Sequence, residues 1–226
     1  MPLLKPDPTF YPSPRLAMQA PPEKHAFVPA LNPPGSKLND ALLVVDVDPA
    51  SSTYGQRVGE VRMPKFGDEL HHFGWNACSS ALCPYAPHPH VERRYLVVPG
   101  IRSSRIHIVD TKPDARKPQI VKVIEPEDVF ARTNYSRPHT IHCGPEAIYV
   151  SALGDPNGDG PGGIFMLDCE TFEVLGQWEF DRGSQFLHYD FWWHLGFDTL
   201  LGPVYLAAGF DEGGRRSFYL LLGRIR

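Results

Sequence analysis

Short apolar runs that end in aspartate recur along the chain. Ala41-Leu42-Leu43-Val44-Val45-Asp46 is the first, Arg105-Ile106-His107-Ile108-Val109-Asp110 the second and Gly163-Ile164-Phe165-Met166-Leu167-Asp168 the third. Such runs have strand length, and a closing aspartate suits a hairpin because its carboxylate accepts hydrogen bonds from the turn backbone. After each comes a turn and a more polar strand: Gln56 to Val61, Gln119 to Ile124, and Phe172 to Glu179. Ahead of the second and third runs lies another apolar strand, Arg94 to Pro99 and Ala147 to Ala152, and ahead of each of those a histidine-bearing stretch. The repeating unit is four strands, and repeated four-stranded units predict a β-propeller.

The expected fold is therefore all-β: a propeller of four-stranded blades, incomplete, with about three blades behind an irregular N-terminal arm. One partial blade covers 41–62, two complete ones about 69–124 and 138–180, and another starts at His188. Closure needs four or more blades, so the pattern reads as a propeller cut short. Its open blade edges would favour self-association by strand pairing. The units exceed the roughly 40 to 50 residues of common propeller repeats. The excess falls in the stretches from Cys83 to Arg93 and from Glu125 to Pro138, read as loops. Residues 1–40 are proline-rich and expected to be irregular, 41–198 form the partial propeller, and 199–226 diverge, with Ser217 to Leu222 as a lone strand.

Composition sharpens this only a little. Twenty-four prolines and 20 glycines punctuate the 226 residues too often for long helices. A net charge of −4 without a basic stripe argues against nucleic acid or anionic membrane as a partner. No apolar run approaches the roughly 18 residues of a membrane helix, and the N-terminus lacks an apolar leader core. The expected location is the cytoplasm, where four cysteines are free thiols or ligands rather than a disulfide framework.

The candidate chemistry lies in three polar stretches. Asp68-Glu69-Leu70-His71-His72-Phe73-Gly74-Trp75-Asn76-Ala77-Cys78 is one, Pro138-His139-Thr140-Ile141-His142-Cys143 the second, and His188-Tyr189-Asp190-Phe191-Trp192-Trp193-His194 the third. Buried polar groups cost free energy unless partnered, so these have partners or work to do. If each stretch opens a blade, His71, His72, His139 and His142 converge near the propeller axis. Imidazoles arriving from separate strands suit copper, iron or zinc. A polar channel held by hydrogen bonds is the competing reading. Neighbouring strand residues point to opposite faces, so only one of His71 and His72 is expected to face inward. Asp68 and Glu69 are candidates for orienting the histidines. Cys78 and Cys143 are candidate thiols for a soft metal or an electrophile. Cys169, in the third aspartate turn, is expected to be inert.

These stretches resemble the selenium-binding protein family, which includes methanethiol oxidases. The resemblance rests on Val45-Asp46-Val47-Asp48-Pro49, Met63-Pro64, Asp68 through Asn76 with Cys78-Ser79-Ser80, Ser103-Ser104-Arg105-Ile106, Val123 through Asp128, His139 through Cys143, Ser151 through Asp155 and Tyr189-Asp190-Phe191-Trp192. It runs in register over roughly residues 41 to 198. It implies a β-propeller with copper-dependent oxidase activity, in which methanethiol, oxygen and water give formaldehyde, hydrogen sulfide and hydrogen peroxide. It also implies selenium binding, and His71, His72, His139 and His142 as metal ligands. Two departures stand out. The family cysteine linked to selenium falls after the Asp46 turn, where this chain has Gly55, which counts against selenium there. The family pattern also stops near Asp198, so a truncated form with an incomplete site and weak or no turnover is expected. The alternative is a non-catalytic selenium- or metal-binding or protein-interaction fragment of a propeller.

Overall fold

A computed structural model describes residues 18, 22–77, 91–144, 146–179, 188–194, 199–210 and 216–224. Four antiparallel sheets follow one another along the chain. The first holds β1 (His25–Ala30), β2 (Ala41–Asp46) and β3 (Arg57–Arg62). The second runs β4 (Gly74–Trp75), β5 (Tyr95–Pro99), β6 (Ile106–Asp110) and β7 (Gln119–Ile124). The third runs β8 (Ser136–Cys143), β9 (Ile148–Gly154), β10 (Gly163–Leu167) and β11 (Val174–Gln177). The fourth holds β12 (Asp190–His194), β13 (Thr199–Phe210) and β14 (Arg216–Arg224). Each sheet is a meander of sequential neighbours, and the architecture is an incomplete β-propeller.

The core lies between sheets rather than inside any one of them. Along β5, Val97 faces the third sheet while Leu96 and Val98 face the first. Along β9, Ile148, Val150 and Ala152 face the second sheet while Tyr149 faces the fourth. Alternate residues thus enter different interlayer cores, which is why both central strands read as unbroken apolar runs. Leu42, Met63 and Leu70 join the first layer, and Phe191 and Leu200 the last.

The three aspartates close hairpins as the pattern predicts. Asp46 accepts the Ser51 and Thr53 hydroxyls, each at 2.5 Å, and the Asp48 N–H at 2.9 Å. Asp110 accepts from Arg94 Nε and Nη2 and from the Lys112 N–H. Asp168 accepts the N–H groups of Glu170 and Thr171.

Three expectations need correction. The stretch 1–40 is not irregular throughout: β1 pairs with β2 along its whole length, with Pro29 opposite Leu42. Proline is tolerated there because β1 is an edge strand. The supposed loop after Glu125 holds α1 (Pro126–Thr133), which starts with proline at its first turn and ends at Asn134 in the left-handed conformation. Its buried Val129 joins the core between the second and third sheets. The strand over 217–222 is not alone, because β14 pairs with β13 over Phe210 to Leu201 and completes the fourth sheet. Among the described residues no helix is long and apolar enough to cross a membrane.

Candidate metal centre

Two backbone irregularities bring the histidines together. β4 is only two residues long, and the polar stretch before it makes single bridges instead of a ladder: Leu70 opposite Gly100, and His72 parallel to Thr140. Glu69 sits at φ 53°, a left-handed kink that breaks regular alternation. On the facing strand, Arg137 has φ 58° and the β8–β9 register slips between Pro138 and Ile141. This bulge re-aims His139 and Thr140. Gly74 permits the approach, since a Cβ there would lie 2.6 Å from the Ile141 carbonyl oxygen.

The result is a triad. The ring centroids of His71 and His72 are 4.7 Å apart, those of His71 and His139 4.3 Å, and those of His72 and His139 4.7 Å. Both adjacent histidines therefore face the cluster, contrary to the expectation for a regular strand, because the segment is kinked and unladdered. One ring nitrogen from each lies within 4.8 Å of the others. His139 is buried, His71 half-buried and His72 exposed, so the cluster opens on the His72 side.

One side of the buried ring is held by a hydrogen bond. The Thr140 hydroxyl lies 2.9 Å from His139 Nδ1, 3.2 Å from the Tyr189 carbonyl and 3.5 Å from His72 Nδ1. His139 Nε2 is buried and has no hydrogen-bond partner. Burial first, then the neighbouring His71 and His72, push the His139 pKa down to about 4. Burial and His72 also lower His71. At neutral pH both rings are neutral, the form that binds metals. Tyr189 covers the outer face of His139 with ring centroids 4.1 Å apart.

The donor set fits a transition metal. Three neutral imidazoles suit copper, zinc, iron or nickel. Bonds of about 2.0 Å put ligand nitrogens at most about 4 Å apart, so closing the triad takes side-chain movements of under about an ångström. The unpartnered His139 nitrogen is the atom such an ion would satisfy.

The other sequence candidates lie elsewhere. His142 is outside the triad: its Nε2 faces Asp190 Oδ1 at 3.9 Å and its ring packs edge-on against Phe191. The Asp68 side chain bonds no triad imidazole. Its buried carboxylate accepts Ser103 Oγ at 2.6 Å and Arg105 Nε at 2.8 Å, and its second oxygen faces His107 Nε2 at 3.3 Å. Burial alone would raise Asp68, but His107, Ser103 and Arg105 together hold it below the ordinary carboxylate value. Glu69 pairs with Arg102 at 2.5 Å. Both carboxylates belong to the turn that precedes the histidines, because the kink at Glu69 directs them away from the rings. Cys143 is a half-buried free thiol, while Cys169 is buried and its thiol pushed up to about 12 by burial and then by Asp168 and Glu170. Cys78, Cys83, His88 and His90 lie outside the described residues.

Thr140, Tyr189 and Asp190 were not singled out by the sequence pattern. Asp190 interacts electrostatically with His72 and His139, as Glu69 does with His71. Burial opposes its ionisation, but the bonds from His142 and the Phe191 N–H hold its pKa below the ordinary range. The one signal was the polar start of the third stretch, His188-Tyr189-Asp190, which opens a strand as the other two stretches do.

The chain is similar to known proteins over most of its length. The family model of the 56 kDa selenium-binding protein, SBP56, matches residues 4–214. The chain is 40% identical over 206 residues to a methanethiol oxidase from Bos taurus, covering 90% of this chain and 43% of that protein. It is 38% identical over 208 residues to selenium-binding protein 3 from Arabidopsis thaliana, covering 89% of this chain and 42% of that one. An X-ray structure of a hypothetical selenium-binding protein from Sulfolobus tokodaii superposes with a TM-score of 0.81 at 60% identity, covering 86% of this chain and 43% of that one. The chain thus spans less than half the length of these relatives. It belongs to the 56 kDa selenium-binding protein family, whose model covers most of its length.

Proposed function

We propose that this chain carries a copper site of a thiol oxidase, in which methanethiol, oxygen and water become formaldehyde, hydrogen sulfide and hydrogen peroxide. The observation that carries the reading is the His71–His72–His139 triad with a buried, unpartnered nitrogen on His139. The relatives named methanethiol oxidase support the choice of substrate. Copper bound there would supply one-electron chemistry with oxygen and a soft partner for a thiolate.

The residues around it have separable tasks. Thr140 holds His139 through Nδ1 and leaves Nε2 without a protein partner. The Tyr189 ring screens His139 from water. The exposed side at His72 leaves room for a small thiol to approach. The Asp190–His142 pair lies beside that opening and can hold the proton that the thiol gives up as it becomes a thiolate.

Copper binding and thiol turnover are measured separately. The purified chain, loaded with copper and dialysed, should retain the metal and release sulfide and peroxide from methanethiol at a low rate. A chain that retains no copper contradicts the metal site. A chain that retains copper but releases neither product is a metal binder, and the oxidase half of the reading falls.

A further inference from the structure

Two buried carboxylates from different sheets meet one backbone segment, the three residues that precede the histidines. Asp40, just ahead of β2, is 3% exposed. Its Oδ1 accepts the Asn32 N–H at 2.8 Å and its Oδ2 the Leu70 N–H at 3.2 Å. Asp68 is fully buried and ties Ser103 and Arg105, which flank the start of β6. Between them the backbone is fixed at each step: Asp68 O accepts Arg102 N–H, Glu69 O accepts Ile101 N–H, and His71 N–H donates to Pro99 O. Gly100 makes the contact close, since a Cβ there would meet both the Asp68 backbone oxygen and its Cβ at 3.0 Å.

We infer that Asp40 and Asp68 are positioning residues that clamp the left-handed kink at Glu69 and thereby set both His71 and His72 on one side of the chain. The physical reason is leverage. A segment without a ladder has no register of its own, and a non-glycine residue in the left-handed region is strained unless its surroundings impose it. Asp40 supplies a bond from the first sheet and Asp68 bonds within the second, so the kink is held from both sides. Relaxation to regular alternation would turn one imidazole away from His139. The clamp acts through the backbone, not by contact with the rings. Its consequence for metal affinity rests on the proposed copper site; its consequence for ring position does not.

The test compares Asp68→Asn, Asp40→Ala and Asp40→Asn in the full chain, with Glu179→Gln as a control. Glu179 is a buried carboxylate of the third sheet, bonded to Tyr135 Oη and the Ile164 N–H, away from the clamp. Imidazole 15N spectra of the metal-free chain are the first readout and copper titration the second. Asp68→Asn and Asp40→Ala should shift the His71 and His72 ring signals, leave His25 in place, and weaken copper binding about 10- to 100-fold. Asp40→Asn keeps an oxygen acceptor for Leu70 and should restore much of the wild-type spectrum. Glu179→Gln should lower the melting temperature without moving the His71 and His72 signals. Unmoved ring signals in folded Asp68→Asn and Asp40→Ala would overturn the inference, as would equal shifts in Glu179→Gln. Should Asp68→Asn fail to fold, Asp40→Ala and the milder Ser103→Ala decide by the same spectra. A wild-type chain without copper affinity removes the functional proposal, while the ring spectra still judge the clamp.

Discussion

The aspartates that close the hairpins and the histidines that open the blades are both polar residues in apolar surroundings, yet they end in opposite states. Asp46 has three donors on its carboxylate, which hold its pKa down to about 2, the Ser51 and Thr53 hydroxyls foremost. His139 is fully buried, has one nitrogen bonded to Thr140, and leaves the other without a partner. Complete hydrogen bonding marks a residue that shapes the chain. A buried nitrogen left without a partner beside two other imidazoles marks one that, on the proposed reading, takes a ligand.

The contrast is open to attack, starting where the effect is largest. His139→Ala should reduce copper affinity by more than the 10- to 100-fold typical of losing an outer partner, as read by titration. A folded variant with unchanged affinity would erase the distinction. Next is acid stability of the metal-free chain. His139 titrates near 6.5 when unfolded and about 4 when folded, so the unfolded state binds the extra proton in between. Stability should fall as pH drops from about 6.5 toward 4, by on the order of 3 kcal/mol in all. His139→Gln should flatten that limb in denaturant titrations.

Gly74→Ala comes third. The added methyl meets the Ile141 carbonyl oxygen and must push β4 from β8, at a cost of about 1–3 kcal/mol. Copper affinity should fall with it, whereas an effect on stability alone would mean that the strand approach does not set the triad. Asp46→Asn should lower the melting temperature by roughly a few degrees and leave copper binding intact. It should also remove the stability that wild type loses as pH falls from 3.8 toward 2, because Asp46 is ionised in the fold over that window. His142→Ala should have the smallest effect on the metal, since that ring pairs with Asp190 outside the triad.

The blades were legible in the sequence because each central strand is buried on both faces and so reads as an unbroken apolar run closed by aspartate. β1 was not legible, since Pro29 hides an edge strand whose pairing depends on β2. α1 was missed because eight residues starting at a proline look like a turn. The histidine stretches stood out by polarity, but their geometry did not follow from strand alternation. The kink at Glu69 and the bulge in β8 are long-range consequences of packing between sheets. Asp190 and Thr140 were hidden for the same reason: their roles exist only once the third and fourth sheets touch.

The most direct measurement is the copper content of the dialysed 226-residue chain together with its electron paramagnetic resonance spectrum. One copper per chain with nitrogen couplings from the three triad imidazoles is the predicted result. Retention of no copper, or of copper without imidazole coupling, would contradict it.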